Sequence, residues 1–404
     1  MIRRILDSVI WGSILAILSR LPPPPPRREV RKRRWMDRLL EFGVLFGVLG
    51  VLGLVVVVGG LIPIKASSGH WPITRWFLEF SMERGFKTQS LGVKVPPLDD
   101  PALVLRGATQ YETTCRPCHG APDLRAPRVA AAMTPVPPYL PEVVAKWTPA
   151  ELFSIVKHGV KFTGMPAWPT QKRDDEVWAM VAFLRRLPSL DSAAYQQLAH
   201  GASRASEAAA PIEMLTGPEN LPHAVRERCA RCHGADGRGR GTGAFPKLAG
   251  QHEAYLYNAL RAFASGHRHS GIMEPVAAGL SDGEMRELAR YYAALPPAVG
   301  THGAQPAGGI TRGRDIAQRG IPAQRVPPCI DCHGPKEPHP RHEYPMLAGQ
   351  SAKYLVLQLE LFAAEHRGGS PYAHLMREVA PKLTPAQMRD VAAFYESLRE
   401  SGGR

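Results

Sequence analysis

The pattern Cys-x-x-Cys-His occurs three times in this chain of 404 residues: Cys115 to His119, Cys229 to His233 and Cys329 to His333. A glycine follows each motif (Gly120, Gly234, Gly334), and all six cysteines of the chain fall inside them. Two thiols at this spacing reach the two vinyl groups of one haem and form thioethers. The adjacent histidine then supplies the proximal nitrogen to the iron. A redox dithiol and half of a zinc site share the Cys-x-x-Cys core. A dithiol of that kind sits in a strand-to-helix unit, and no β-rich pattern surrounds these pairs. Zinc takes four ligands from two pairs at defined spacing, whereas these pairs lie 114 and 100 residues apart, each with its own histidine. The sequence therefore predicts three covalently bound haem c groups, on Cys115, Cys118 and His119, on Cys229, Cys232 and His233, and on Cys329, Cys332 and His333.

An iron held this way takes a sixth ligand, and methionines in turn-rich loops are the candidates. Met165 sits in Gly164-Met165-Pro166, with Met133 as its rival and Met180 placed as helix core. Met273 and Met376 occupy equivalent places after their own motifs. His267, His269, His366 and His374 compete there. His267 and His366 suit a helix end or a haem propionate better, and His374 is the stronger rival because it lies two residues from Met376.

These ligands need helices to hold them. Pro101 opens a helix leading into Cys115. Thr148 to Glu151 is a capping box before a second helix, and Asp174 to Leu187 is a last helix. First and last helices of such a module cross, and Gly107 against Trp178 is the expected crossing. Pro246 to Gln251 and Pro345 to Gln350 are an internal repeat. Tyr255, Phe263 and Arg268 recur 99 positions later as Tyr354, Phe362 and Arg367. The offset then grows to 103, so four residues are inserted near Gly369 to Tyr372. The expected domains are 100–190, 217–298 and 308–404, joined by linkers at 191–216 and 299–307. The high content of Pro (39) and Gly (38) suits loop-rich modules wrapped on a cofactor.

The net charge of +14 is uneven, with ten Lys or Arg against three Asp or Glu in residues 1–38. The basic run Arg27 to Arg34 precedes an uncharged stretch, 42–62, long enough for a bilayer core of about 30 Å. That arrangement reads as topology and not as a nucleic-acid surface. It predicts a cytoplasmic basic segment (1–38), a transmembrane helix (39–64) and a periplasmic interfacial linker (65–99) with Trp71, Trp76, Phe77 and Phe80 at the headgroup level. An uncleaved anchor is favoured over a signal peptide, whose apolar part is shorter. Residues 1–21 are apolar too, and suit either an interfacial helix or a start nearer Met36.

Residues 217–398 resemble the tandem dihaem cytochrome c4 family, on Cys229 to Gly234, Leu248 to Gln251, Ile272-Met273 and Gly320 to Pro322 before Cys329. Residues 100–190 resemble a class I cytochrome c, on Cys115 to Gly120 and Gly164 to Pro166. The resemblance implies all-α class I cytochrome c domains with His/Met-ligated haems and a role as electron carrier, not enzyme, near terminal oxidases. The anchor and the extra module lie beyond the two-domain family pattern, so the expected chain is three such domains in tandem behind one transmembrane helix in the bacterial cytoplasmic membrane. A quinol-oxidising bc complex or a dehydrogenase would be the donor and a haem–copper oxidase the acceptor. The alternative is the cytochrome subunit of a periplasmic dehydrogenase that passes electrons to quinone. A third reading, a haem that has lost its methionine and reduces a small molecule, would reveal itself by binding carbon monoxide.

Overall fold

The computed structural model describes residues 27–62, 64–201, 222–241, 243–297, 307–334 and 342–398. The expected interfacial segment 1–21, most of the 191–216 linker, the start of the second expected domain at 217–221 and nearly all of the 299–307 linker lie outside these residues. Among the described residues the fold is helical, with two isolated β-bridges and no strands. The chain divides into two compact units, Met1–Ser68 and Gly69–Arg404.

Among its described residues the first unit holds one long helix, Arg27–Val58, whose apolar part Trp35–Val58 has a mean hydropathy of 2.5, and the short 3-10 turn Ala66–Ser68. This helix starts and stops earlier than the expected span. Arg, Lys and Glu are good helix formers, so the basic run carries helical backbone without a break. The helix ends where Gly59 and Gly60 follow, Gly60 at a φ of +66°.

The second unit contains three main apolar cores, each next to one Cys-x-x-Cys-His motif. Around the first motif, helix Pro101–Thr114 crosses helix Asp174–Arg186. Asp100 caps the first of these by accepting from Ala102 N at 3.0 Å. The crossing glycine is Gly107, but its partners are Ala179 and Phe183: a Cβ at Gly107 would lie 2.6 Å from Phe183 Cβ. The expected partner, Trp178, instead stacks on Phe153 with ring centroids 4.3 Å apart. The third group repeats the device, with Ala307–Arg319 crossing Pro385–Ser397 at Gly313 against Asp390 and Phe394. The capping box at Thr148 forms as expected, and Ser281 and Thr384 form two more.

Part of the expected linker is core. Ser192–His200 is a helix, and its Tyr195 packs fully buried against Tyr111 and Phe183. Burying such a ring stabilises by about 1.5–3 kcal/mol, which an alanine- and serine-rich composition conceals. Tyr195 Oη donates to the buried Glu112 carboxylate at 2.6 Å.

The repeat becomes a pseudo-symmetric pairing. Gln251 Nε2 donates to Met346 O at 3.0 Å, while Met346 N donates to Gln251 Oε1 at 2.8 Å. Its counterpart Gln350 donates to Lys247 O at 3.0 Å and accepts from Lys247 N at 3.1 Å. Arg268 donates to Tyr354 Oη at 3.2 Å, and its counterpart Arg367 donates to Tyr255 Oη at 3.0 Å. The inserted Gly369, at a φ of +81°, packs on Ala262 and His267 across this pairing.

Candidate haem sites

Each motif folds as a single helical turn: Arg116–His119, Ala230–His233 and Ile330–His333. One turn puts positions i, i+3 and i+4 on the same face. The two thiols and the imidazole of each motif therefore share one side. The glycine after each turn is left-handed, with φ of 72°, 76° and 67° at Gly120, Gly234 and Gly334. A side chain at Gly120 would be strained, and its Cβ would come 2.6 Å from Leu124 O.

The imidazoles share one hydrogen bond. His119 Nδ1 lies 2.9 Å from Pro138 O, His233 Nδ1 3.0 Å from Pro246 O, and His333 Nδ1 2.9 Å from Pro345 O. A carbonyl only accepts, so Nδ1 carries the proton and Nε2 is left as the metal-binding nitrogen. Burial, only partly opposed by that hydrogen bond, lowers the pKa of His119 and His233 and favours the neutral, ligating form. The prolines are functional residues that the sequence reading missed. Pro246 and Pro345 stood out only as matched positions of the repeat.

The thiols lack the lowered pKa of a redox dithiol. Burial pushes Cys115, Cys229 and Cys329 up to about 11 and Cys232 up to about 12. A redox or zinc-binding pair would need the opposite shift. None of the six cysteines is in a disulfide, so each is open to a thioether bond. The residues present therefore fit covalently attached haem.

A buried tyrosine anchors the carbonyl behind two of the motifs. Tyr111 Oη donates to Gly120 O at 2.8 Å, and Tyr292 Oη to Gly234 O at 3.1 Å. The two come from different helices, the one before the first motif and the last of the second group.

The methionine loops differ from one another. Met165 is half-buried in a tight loop in which Val160 N donates to Met165 O at 3.1 Å and Met165 N to Thr163 Oγ1 at 3.1 Å. The rival Met133 lies against Gly164 of that same loop. Met180 is core, 1 % exposed. Met273 is half-buried and opens a short helix, with its N donating to Ser270 Oγ at 3.0 Å. Met376 is half-buried beside Phe362, Ala373 and Ala380, whereas His374 is exposed. His267 is exposed with its Nδ1 2.8 Å from Ser265 Oγ, and His269 lies 3.6 Å from Glu274.

Two guanidiniums stand near the paired repeat. Arg268 stacks over Phe263 and Arg367 over Phe362, each 4.4 Å from the ring centroid. Burial raises the Tyr255 hydroxyl, but the two guanidiniums outweigh it and bring it down to about 8. Arg268, buried, also donates to Gln358 Oε1 at 3.3 Å.

Comparison with known proteins agrees with this geometry. The family "cytochrome c oxidase, cbb3-type, subunit III" matches residues 102–184, and "cytochrome c" matches residues 223–295. The chain is 38% identical over 187 residues to the thiosulfate dehydrogenase electron acceptor of Thiomonas intermedia, covering 46% of this chain and 83% of that one. It is 34% identical over 198 residues to cytochrome c-552 of Acidithiobacillus ferridurans, covering 48% and 83%. It is 32% identical over 174 residues to cytochrome c4 of Thiocapsa roseopersicina, covering 43% and 88%. A chain built on repeated haem-attachment turns, and similar to these proteins over most of their length, belongs to the cytochrome c4-like family of multihaem c-type cytochromes.

Proposed function

We propose that the chain is a membrane-anchored electron carrier with three covalently held haem c groups. It would pass single electrons in a respiratory chain, from a quinol-oxidising bc complex or a dehydrogenase to a haem–copper oxidase. The observation that carries this reading is one geometry present three times: two thiols and an imidazole on a helical turn, with Nδ1 held by a proline carbonyl.

Haem bound at these turns would supply a one-electron ferric–ferrous couple. Cys115 and Cys118, Cys229 and Cys232, and Cys329 and Cys332 would hold it. His119, His233 and His333 would present Nε2 to the iron, and Met165, Met273 and Met376 would supply the second protein ligand. The burial of Met376 against the exposure of His374 favours the methionine in the third site. A thioether favours the reduced state, and a filled sixth position leaves no place for oxygen. Arg268 and Arg367 suit the propionate carboxylates.

The proposed domains remain 100–190, 217–298 and 308–404, the first extended by the helix Ser192–His200. Helix Trp35–Val58 would anchor the chain in the bacterial cytoplasmic membrane, basic end inside and haem domains in the periplasm. Anchoring confines the carrier beside its membrane partners and raises its effective concentration there.

Two relatives bear the name thiosulfate dehydrogenase electron acceptor, at 38% and 37% identity. They favour a dehydrogenase over a bc complex as donor. They also keep the second reading, the cytochrome subunit of a dehydrogenase complex that reduces quinone. Rapid mixing decides between the two. The pre-reduced protein in mild detergent should be oxidised by a haem–copper oxidase with no quinone present. Oxidation by quinone alone would favour the second reading.

A further inference from the structure

The loops that carry Met165 and Met273 meet at one buried carboxylate. Glu176 stands in the first turn of helix Asp174–Arg186 and is 3 % exposed. From the Met165 side, Trp168 Nε1 donates to Glu176 Oε2 at 3.2 Å. From the Met273 side, Gly271 N donates to the same oxygen and Ser270 Oγ to Oε1, each at 2.6 Å. Arg173 pairs with Oε1 at 3.0 Å and also donates to His269 O at 2.8 Å. Ser270 Oγ in turn accepts from Met273 N at 3.0 Å and Ile272 N at 3.3 Å. The loops touch directly as well, since a Cβ on Gly271 would lie 2.6 Å from Trp168 Cδ1.

A carboxylate with four donors on two oxygens cannot be replaced by an amide without turning an N–H toward an N–H or O–H. A buried donor left unmade carries its full desolvation cost, enough to move a loop that ends in a weak metal ligand. Nor is the first turn of a helix by itself the reason for an acidic residue here. An ordinary N-terminal carboxylate interacts with its own helix and stays near solvent, whereas Glu176 receives three hydrogen bonds from residues outside its helix, two of them from across the boundary between groups.

We propose that Glu176 is a positioning residue that locks the Met165 and Met273 loops to each other, so that one carboxylate sets the sixth-ligand geometry of two haems. The inference rests on the assignment of Met165 and Met273 as ligands. Ser270→Ala and Trp168→Phe separate the two arms without changing charge, and Glu176→Gln loosens both.

The test is a stepwise redox titration of the full chain carrying its haems, together with the ferric methionine charge-transfer band. Met165→His, Met273→His and Met376→His identify the steps, each lowering one potential and removing about one third of the band. If Met273→His lowers no step, the ligand assignment fails, whatever Glu176 does. Given that assignment, Ser270→Ala should lower the haem 2 step alone and weaken its share of the band. Trp168→Phe should do the same for haem 1. Glu176→Gln should weaken both shares and spare haem 3, and Glu176→Asp should restore part of the loss. The proposal is overturned if Ser270→Ala and Trp168→Phe leave all three steps and the band unchanged, or if Glu176→Gln shifts all three haems alike.

Discussion

His233 Nδ1 lies 3.0 Å from the carbonyl oxygen of Pro246, thirteen residues further along the chain. The contact fixes the ring's tautomer, because a carbonyl carries no proton of its own, and helps to orient the ring. Equivalent contacts at His119 and His333 make it a property of all three turns. With the thioethers intact, His233→Gly should keep its haem attached but convert it to a high-spin spectrum. The low-spin signal should fall by about one third, since only one of three sites is affected, and added imidazole should restore most of that loss. No spectral change in the variant would remove His233 from the iron.

Carbon monoxide reads the opposite face. On the proposed ligand set, the reduced protein should give no spectral change. Met273→Ala should create one binding site per chain, and so should Met376→Ala. If His374 were the third ligand, Met376→Ala would stay silent and His374→Ala would bind the gas.

Gly107 and Gly313 predict where the helix crossings fail. Each Cβ would press on backbone of the facing helix, against Ala179 and Asp390 respectively. Neither neighbour is a flexible side-chain end. Gly107→Ala and Gly313→Ala should each destabilise by about 1–3 kcal/mol, read as a lower midpoint of denaturant unfolding. The exposed Gly283, with nothing within 4 Å of its Cβ, should tolerate the same change.

Asp175 predicts the acid limit of the contact beside Glu176. Burial works against its ionised form, but Arg173 at 2.8 Å and then Arg106 outweigh it and hold its pKa below the ordinary value. A lowered folded pKa contributes stability above the unfolded value, near pH 4, and that contribution is lost as pH falls through the folded value. Thermal unfolding should therefore drop more steeply below about pH 4 in the natural protein than in Asp175→Asn. At pH 7 the variant should start about 2 kcal/mol lower, with Arg173 short of one partner. Parallel pH curves would contradict the sign.

Local chemistry was legible in the sequence, and contact across groups was not. The three Cys-x-x-Cys-His turns, the Thr148 capping box and the helices beginning at Pro101 and Asp174 are written in nearby residues, and they form where expected. The repeat pairs Gln251 with Gln350 and Arg268 with Arg367 were visible as identities, but their reciprocal hydrogen bonds were not. Gly107 was read correctly as a crossing, with Trp178 as its partner in place of Ala179 and Phe183. The true contact is with backbone and Cβ, which side-chain character does not announce. Tyr195 was hidden in a polar, alanine-rich stretch that reads as linker. Glu176 looked like any acidic residue in a first helical turn, because two of its partners, Ser270 and Gly271, lie more than ninety residues away.

Counting covalently bound haem tests the central claim most directly. Intact mass of the denatured protein, matured with the export and haem-attachment machinery, should show three haem increments on one polypeptide, and alkaline pyridine absorbance should give the same three per chain. Loss of one increment in each of Cys118→Ala with Cys115→Ala, Cys232→Ala with Cys229→Ala, and Cys332→Ala with Cys329→Ala would assign them. Two increments or fewer on the natural chain, or increments removed by acid extraction, would contradict the account.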